Sequence, residues 1–145
     1  MIKIDEDLRT IHLTRGDATH DKYNRLAFCF PIYNFETEET ENYVFQLNDK
    51  ITLTVFEKKG YTKRELLKKE YTLKDLGYTE GTEYPELILT EEETKLFELA
   101  NKRKTYWYSI ELNDTTTIFG YDGEGAEKLI VYPGIVEEIE EGYNE

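Results

Sequence analysis

The chain has 145 residues, of which 39% are hydrophobic and 14% aromatic, and this composition indicates one folded domain rather than a disordered segment. Its 31 acidic and 18 basic residues give a formal net charge of −13, which argues against direct binding to nucleic acid or to an anionic membrane. A single cysteine allows no disulfide within the chain, and no apolar stretch has the length that a signal peptide or a membrane span requires.

Strand patterns dominate the first half of the chain, because β-branched and aromatic residues recur with a period of two between turn residues. Pro31 marks an edge or an end of its strand, since proline cannot donate a hydrogen bond to a neighbouring strand. The predicted strands and short apolar segments cover residues 11–13, 23–33, 43–47, 51–56 and 66–73. In the second of these, alternation predicts a buried face made of Leu26, Phe28, Phe30 and Ile32.

Two segments in the middle of the chain depart from this strand pattern. Residues 36–41 carry four Glu and two Thr and are predicted to form an acidic loop. Thr90 and Glu93 have the spacing of a capping box, in which each side chain bonds to the other residue's backbone amide. This signal predicts a helix at about residues 91–101. The stretch 66–73 fits a helical turn as well, although we favour a strand there.

The C-terminal part of the chain returns to alternation. Residues 106–112 and 115–121 are separated by Asn113-Asp114, which predicts a hairpin, and residues 128–132 form the last strand. Short strands at this regular spacing predict a mainly β fold, a β-sandwich with one short inserted helix, and a small β-barrel is the alternative. We expect a single domain over residues 1–136 and a flexible acidic tail over residues 137–145.

Three short motifs invite functional interpretations, and each has a simpler structural one. Arg15-Gly16-Asp17 is a tripeptide that integrins recognise, but a turn in which glycine supplies a positive φ explains it better. The carboxylates of residues 122–125 could attract Ca²⁺, but they lack EF-hand spacing and fit a hairpin turn. The acidic loop at residues 36–41 gives its carboxylates no fixed geometry for a binding site, so it is interpreted as solvated surface.

The aromatic run Tyr106-Trp107-Tyr108 is the candidate for an interface or a ligand contact. Alternation sends Trp107 to the face opposite its two neighbours, so that one face packs in the core. The other face would then be able to present an aromatic ring to a sugar or to a protein partner. Core packing on both faces is the simpler alternative.

The sequence contains no pattern that predicts catalysis. It has no phosphate-binding loop, nucleophile elbow, dinucleotide fingerprint or His/Cys metal spacing. Cys29 lies between two phenylalanines and is interpreted as a packed thiol, while the only histidines, His12 and His20, both lie in the N-terminal segment. Among 31 acidic residues, no pair can be nominated for glycoside hydrolysis. We therefore expect no enzyme activity, no cofactor and no metal site.

The segment Ile11-His12-Leu13-Thr14-Arg15-Gly16-Asp17-Ala18 has a strand pattern that leads into an Arg-Gly-Asp turn. It looks like the hxLxRGD opening of a group of phage and prophage proteins of Firmicutes, and further segments resemble the same group in chain order. The similarity covers most of the chain. The other similar segments are residues 51–59, 87–90, 106–113, 117–122 and 129–133.

These phage proteins resemble the N-terminal, immunoglobulin-like domain of the upper baseplate protein of siphophages. The resemblance implies an immunoglobulin-like β-sandwich that docks onto the phage tail and holds or positions receptor-binding parts. Its partners would be other virion or tail proteins, with a homo-oligomer as one arrangement. It would reside in the host cytoplasm during assembly and then in the virion. The similar motifs are structural, and no catalytic residue carries over from them.

Two other functions remain open at this point. Net charge motivates a small acidic inhibitor that mimics nucleic acid and occupies a surface of a host defence protein, which requires carboxylates arrayed on one face. The aromatic run motivates a carbohydrate-binding module that uses Trp107 or neighbouring tyrosines, which requires an exposed aromatic platform.

Overall fold

The structure is a computed structural model that describes residues 2–4, 10–17, 26–97, 101–119 and 127–133. Most of these residues are in β-strands. The elements in this part of the chain are β1 (Ile2–Ile4), β2 (Ile11–Thr14), β3 (Pro31–Asn34), β4 (Glu39–Asn42), β5 (Lys50–Lys59), β6 (Thr62–Thr72), α1 (Glu91–Thr94), β7 (Lys104–Leu112), β8 (Thr116–Phe119) and β9 (Glu127–Tyr132).

Two sheets account for these strands. The larger, seven-stranded sheet of the described chain follows the order β1-β2-β9-β7-β5-β6, and β8 pairs with β7 beside this path. Its neighbours run antiparallel except for β2 and β9, which are parallel. The smaller sheet is the antiparallel hairpin of β3 and β4. The predicted mainly β class with a β-sandwich architecture is confirmed, and the barrel alternative is wrong because the larger sheet does not close on itself.

The core lies against one face of the larger sheet. Alternation along β7 buries Tyr106, Tyr108 and Ile110, and β5 directs Ile51 and Leu53 into the same cluster. The segments that connect the strands supply the opposing layer, and each of their core residues is at most 4% exposed. These residues are Leu26, Phe28, Phe45, Leu73, Leu87, Leu89 and Phe97.

The predicted strand over residues 23–33 is wrong in its extent. Residues 23–25 lie outside the described chain, and residues 26–30 form only a bridge between Ala27 and Glu86 before β3 begins at Pro31. Leu26 and Phe28 are buried as predicted, but Ile32 is 41% exposed. The reason is that β3 leaves the core and pairs with β4, so the period of two continues on a strand that has little to pack against.

The loop predicted over residues 36–41 is wrong for its second half, because residues 39–41 belong to β4. Glu39 begins β4, and Glu41 lies opposite Ile32 in the hairpin register. The turn is closed by Asn34, whose side-chain oxygen accepts a hydrogen bond from the Glu36 amide at 2.8 Å. This turn brings the two strands together locally, which a composition of Glu and Thr does not reveal. The strand interpretation of residues 66–73, in contrast, is confirmed by β6.

The helix predicted at about residues 91–101 is a helical turn, α1, of four residues. Its capping box of Thr90 and Glu93 is present, but the chain turns away after Lys95, and residues 98–100 lie outside the described chain. Arg15 accounts for the early end of α1. Its guanidinium donates to the carbonyls of Lys95 and Phe97, so these groups have a partner without further helical turns.

Thr52 lies on the face of β5 opposite to the core residues. It is 2% exposed, and its hydroxyl has no hydrogen-bond partner in the described chain. A buried hydroxyl without a partner loses its hydration at a cost, so Thr52→Val should raise the free energy of unfolding by about 1 kcal/mol. Urea denaturation measures the change, with the half-buried Thr54→Val as the control. A loss of stability in Thr52→Val alone would show that the hydroxyl is bonded after all.

Candidate protein-contact surface

The aromatic run predicted as a contact site is divided between two faces of β7. Tyr106 and Tyr108 are 1% and 0% exposed on the core side, so neither ring is available to a partner in this structure. Trp107 lies on the opposite face, as alternation predicts, and is half-buried. The Lys58 ammonium lies 5.4 Å from the centre of its ring. Of the three residues, Trp107 alone keeps accessible surface for a contact.

The Arg15-Gly16-Asp17 motif forms a turn against α1, as the structural interpretation predicts. Gly16 has a φ of 93°, and the Asp17 amide donates to the carbonyl of Thr14. The Gly16 amide also donates to the hydroxyl of Thr94 at 3.0 Å. With the Arg15 side chain bonded to carbonyls of the α1 segment, the guanidinium is part of the fold rather than presented to a receptor.

The other residues singled out in the sequence form no catalytic arrangement in the described chain. Cys29 is a free, half-buried thiol, and His12 stacks on Tyr132 with its Nδ1 2.9 Å from the phenol oxygen. His20, the turn at residues 122–125 and the tail at residues 137–145 lie outside the described residues. Within the described ranges, no three His, Cys, Asp or Glu side chains are placed to bind a metal ion. No helix there combines the length and apolarity needed to cross a membrane.

The feature that sequence analysis misses is the exposed apolar surface of the β3–β4 hairpin. Phe35, in the turn of the hairpin, is 85% exposed, and Tyr33 is 48% exposed. The two rings meet edge to face with their centres 4.9 Å apart. Ile32 is a third exposed apolar side chain of the hairpin, next to Tyr33 in β3. An exposed apolar cluster of this kind indicates a surface for binding.

A shallow groove of about 600 Å³ runs along this hairpin. We call it the hairpin groove, and its walls combine apolar, amide and carboxylate side chains. Its lining residues are Ile32, Tyr33, Asn34, Phe35, Glu36, Glu41, Asn42 and Tyr43. No charged group within residues 31–42 is basic, whereas Glu36, Glu38, Glu39 and Glu41 are all exposed. The groove is therefore lined by apolar and aromatic side chains together with the carboxylates of Glu36 and Glu41.

Ring contacts connect the groove to the core. The centre of the Tyr43 ring lies 6.0 Å from that of Phe30 and 5.1 Å from that of Phe45, which in turn meets Phe28. The Asn42 amide donates to the hydroxyl of Tyr84 at 3.1 Å. These contacts hold the hairpin on the body of the domain, so its exposed residues keep a fixed arrangement for a partner.

A comparison of the chain with protein-family models, curated proteins and solved structures found no match.

One sequence signal could have located the groove. Phe35 interrupts a run of turn-forming and acidic residues, where an aromatic side chain has no local reason to occur. A large apolar residue in a polar turn is either buried by another part of the chain or kept for a partner. Alternation cannot separate the two cases, because it reports which side chains share a face and not what covers that face.

Asp49 fixes the base of the groove through three hydrogen bonds. Its carboxylate accepts from the Tyr43 hydroxyl at 2.7 Å, from the Gln46 amide at 2.8 Å and from the Asn113 side chain at 3.1 Å. Burial acts to raise the pKa of Asp49, but these hydrogen bonds outweigh burial and hold the pKa below its ordinary value of 3.8. The same contact raises the pKa of Tyr43 to about 12.

The lowered pKa of Asp49 predicts an acid-dependent loss of stability. A carboxyl group with a lower pKa in the folded state stabilises the fold fully above its ordinary pKa, and this contribution disappears as the pH falls through the folded-state value. Asp49→Asn should therefore be less stable than the wild type at pH 7 and should lose less stability below about pH 4. Urea unfolding as a function of pH measures both effects. Glu83→Gln, at an exposed carboxylate, is the control, and equal profiles for the wild type and Asp49→Asn would contradict the assignment.

Proposed function

We propose that the chain is a structural module of a phage or prophage tail that acts through protein contacts. In this proposal it is a non-enzymatic, immunoglobulin-like β-sandwich that is made in the host cytoplasm and becomes part of the virion. The ordered resemblance to upper baseplate proteins supports the tail setting. The hairpin groove supports the mode of action, because it offers a partner exposed apolar side chains together with carboxylates.

The observation that carries the proposal is the exposure of Ile32, Tyr33 and Phe35 on one hairpin. Fully burying an exposed apolar side chain contributes about 1.5–3 kcal/mol. Phe35, which is 85% exposed, would gain most of this, and Ile32 and Tyr33, which are 41% and 48% exposed, would add smaller contributions. Protein interfaces also concentrate their binding energy in a few aromatic residues.

The test titrates the chain against purified proteins encoded by the neighbouring genes, with those of phage-tail type as the expected partners. The double variant Tyr33→Ser/Phe35→Ser should weaken the binding of at least one tail protein tenfold or more. Leu96→Ser is the matched control, because Leu96 is also an exposed apolar residue but lies at the end of α1, away from the groove. Binding of the double variant and the control with equal strength would overturn the proposal.

The two alternative functions have less support from the described residues. A sugar platform needs a free aromatic face, whereas the Trp107 ring is half-buried beside Lys58. A nucleic-acid mimic needs a long array of carboxylates on one face, whereas β4 contributes two, Glu39 and Glu41, which lie opposite Asn34 and Ile32 of β3. Failure of every tail protein to bind, together with binding of a glycan or of a DNA-binding enzyme, would favour one of these alternatives.

A further inference from the structure

The β5–β6 hairpin exposes a single aromatic side chain at its tip. Lys59 pairs with Thr62, so Gly60 and Tyr61 form a two-residue turn. Gly60 has a φ of 62°, and Tyr61 is not among the residues with positive φ, which is the pattern of a type II′ turn. Tyr61 is fully exposed. Such turns favour small and polar residues, so local structure does not account for a tyrosine at this position.

The segment around this tip is positively charged, whereas the hairpin that forms the groove is negatively charged. Residues 58–64 contain four basic residues and no acidic one, in a chain whose net charge is −13. Lys59, Lys63 and Arg64 are all exposed. We call residues 58–64 the basic tip. It combines one projecting aromatic ring with four cations, of which Arg64 pairs with Glu57 at 3.4 Å, whereas the hairpin groove combines aromatic side chains with carboxylates.

The basic tip and the hairpin groove are attached at opposite ends of β5. Tyr43, which lines the groove, bonds to Asp49 immediately before β5 begins at Lys50. The basic tip begins where β5 ends, at Lys59. A strand of ten residues extends about 30 Å, so the tip cannot fill the groove of its own chain without unfolding β5. A second copy, however, can bring its tip to the groove.

We infer that copies of this chain associate head to tail, with the basic tip of one copy in the hairpin groove of the next and Tyr61 as the central apolar contact. The inference rests on the proposed function of the groove as a contact surface, and it adds that a second copy of the chain binds there. Charge determines the relative orientation of the two copies. Groove against groove would oppose the carboxylates of Glu36 and Glu41 to their own copies, and tip against tip would oppose lysines to lysines, so only the heterologous contact pairs opposite charges. A heterologous contact generates a closed ring or a filament.

The test uses two variants that each lose one half of the contact. Tyr61→Ser disables the tip and keeps the groove, while Tyr33→Ser/Phe35→Ser disables the groove and keeps the tip. In sedimentation velocity the wild type should form species larger than a dimer as its concentration rises, and each variant alone should stay monomeric, with association weakened at least tenfold. An equimolar mixture of the variants should form a dimer and nothing larger, because only one intact tip and one intact groove remain.

Salt provides a second measurement on the same samples. Association of the wild type should weaken when the ionic strength is raised from about 0.1 M to about 1 M, where the screening length falls from about 10 Å to about 3 Å. Leu96→Ser should assemble like the wild type, and circular dichroism should show that all variants are folded, since the altered side chains are exposed.

Three outcomes would overturn the head-to-tail contact. They are a wild type that stays monomeric at every concentration, a Tyr61→Ser variant that assembles as the wild type does, and a mixture of variants that gives no dimer. None of these outcomes decides the proposed function, because tail proteins are absent from this experiment. Loss of tail-protein binding in the groove variant, with the wild type strictly monomeric, would keep the function and reject the second copy as its partner.

Discussion

Phe45→Ala is expected to lower the free energy of unfolding by about 3–5 kcal/mol, more than any other substitution proposed for this chain. Phe45 is 0% exposed, and its ring meets those of Phe28 and Tyr43 edge to face. Its amide also donates to the carbonyl of Thr82 at 2.9 Å. Alanine leaves this backbone bond possible but removes the ring, so a cavity opens beneath the hairpin groove.

Urea denaturation of Phe45→Ala and Phe45→Leu separates the effect of lost side-chain volume from the effect of lost ring contacts. Leucine refills most of the cavity and restores apolar contacts, so Phe45→Leu should lower the free energy of unfolding by less than half as much as Phe45→Ala. The remaining loss reflects the missing edge-to-face ring contacts. A typical domain has only about 5–15 kcal/mol of stability, so Phe45→Ala should also unfold at a visibly lower temperature. A loss below about 1 kcal/mol would show that Phe45 is not a central part of the core.

Arg15→Ala is expected to lower the free energy of unfolding by about 2–3 kcal/mol. Its Nε donates to the carbonyl of Phe97 and its Nη2 to that of Lys95, both at 3.0 Å. Each carbonyl follows the last residue of α1, where a helix end leaves carbonyls that need other partners. Hydrogen bonds from a charged donor contribute about 1.5–3 kcal/mol each when they are sheltered, and the exposed position of the Lys95 contact reduces its share.

Arg103→Ala is the matched control for this variant, because Arg103 is exposed and its loss changes the net charge by the same amount. The control should stay within about 0.5 kcal/mol of the wild type. Arg15→Lys should recover only part of the loss, since an ammonium group lacks the fork that reaches two carbonyls at once. Equal stabilities of Arg15→Ala and Arg103→Ala would mean that the motif does not hold α1 in place.

The larger sheet could be predicted from the sequence because its strands alternate and one face is buried. The strands predicted over residues 51–56, 66–73, 106–112 and 128–132 are found as β5, β6, β7 and β9. In β7 and β9 the period of two coincides with burial against a common core, whereas β6 is mostly exposed and shows no such period. The predicted ends of the strands are less accurate, because hydrogen bonding to a neighbour extends β5 beyond the apolar residues as far as Lys59.

The length of α1 could not be predicted, because a contact distant in sequence ends it. Thr90 and Glu93 correctly mark its start, since capping depends on residues three apart. Its end depends on Arg15, about 80 residues earlier, whose side chain takes the carbonyls that a longer helix would have used. Leu96, which would belong to the apolar stripe of the longer helix, is exposed as a result.

The candidate site escaped prediction for a related reason. Tyr106 and Tyr108 belong to the densest aromatic run and are in the core, whereas the exposed aromatic side chains Phe35 and Tyr61 occupy turns. Apolar residues in strands have a packing explanation, and apolar residues in tight turns do not. A search of the sequence for large apolar side chains within turn-forming segments would therefore find both Phe35 and Tyr61.

The most direct measurement of the central claim is amide hydrogen exchange of the chain, alone at high dilution and in complex with a tail protein that it binds. If the hairpin groove is the contact surface, amides within residues 31–43 become protected in the complex, while those of residues 106–112, already in the centre of the sheet, exchange as before. A complex that leaves residues 31–43 unprotected and protects another surface instead would contradict the account.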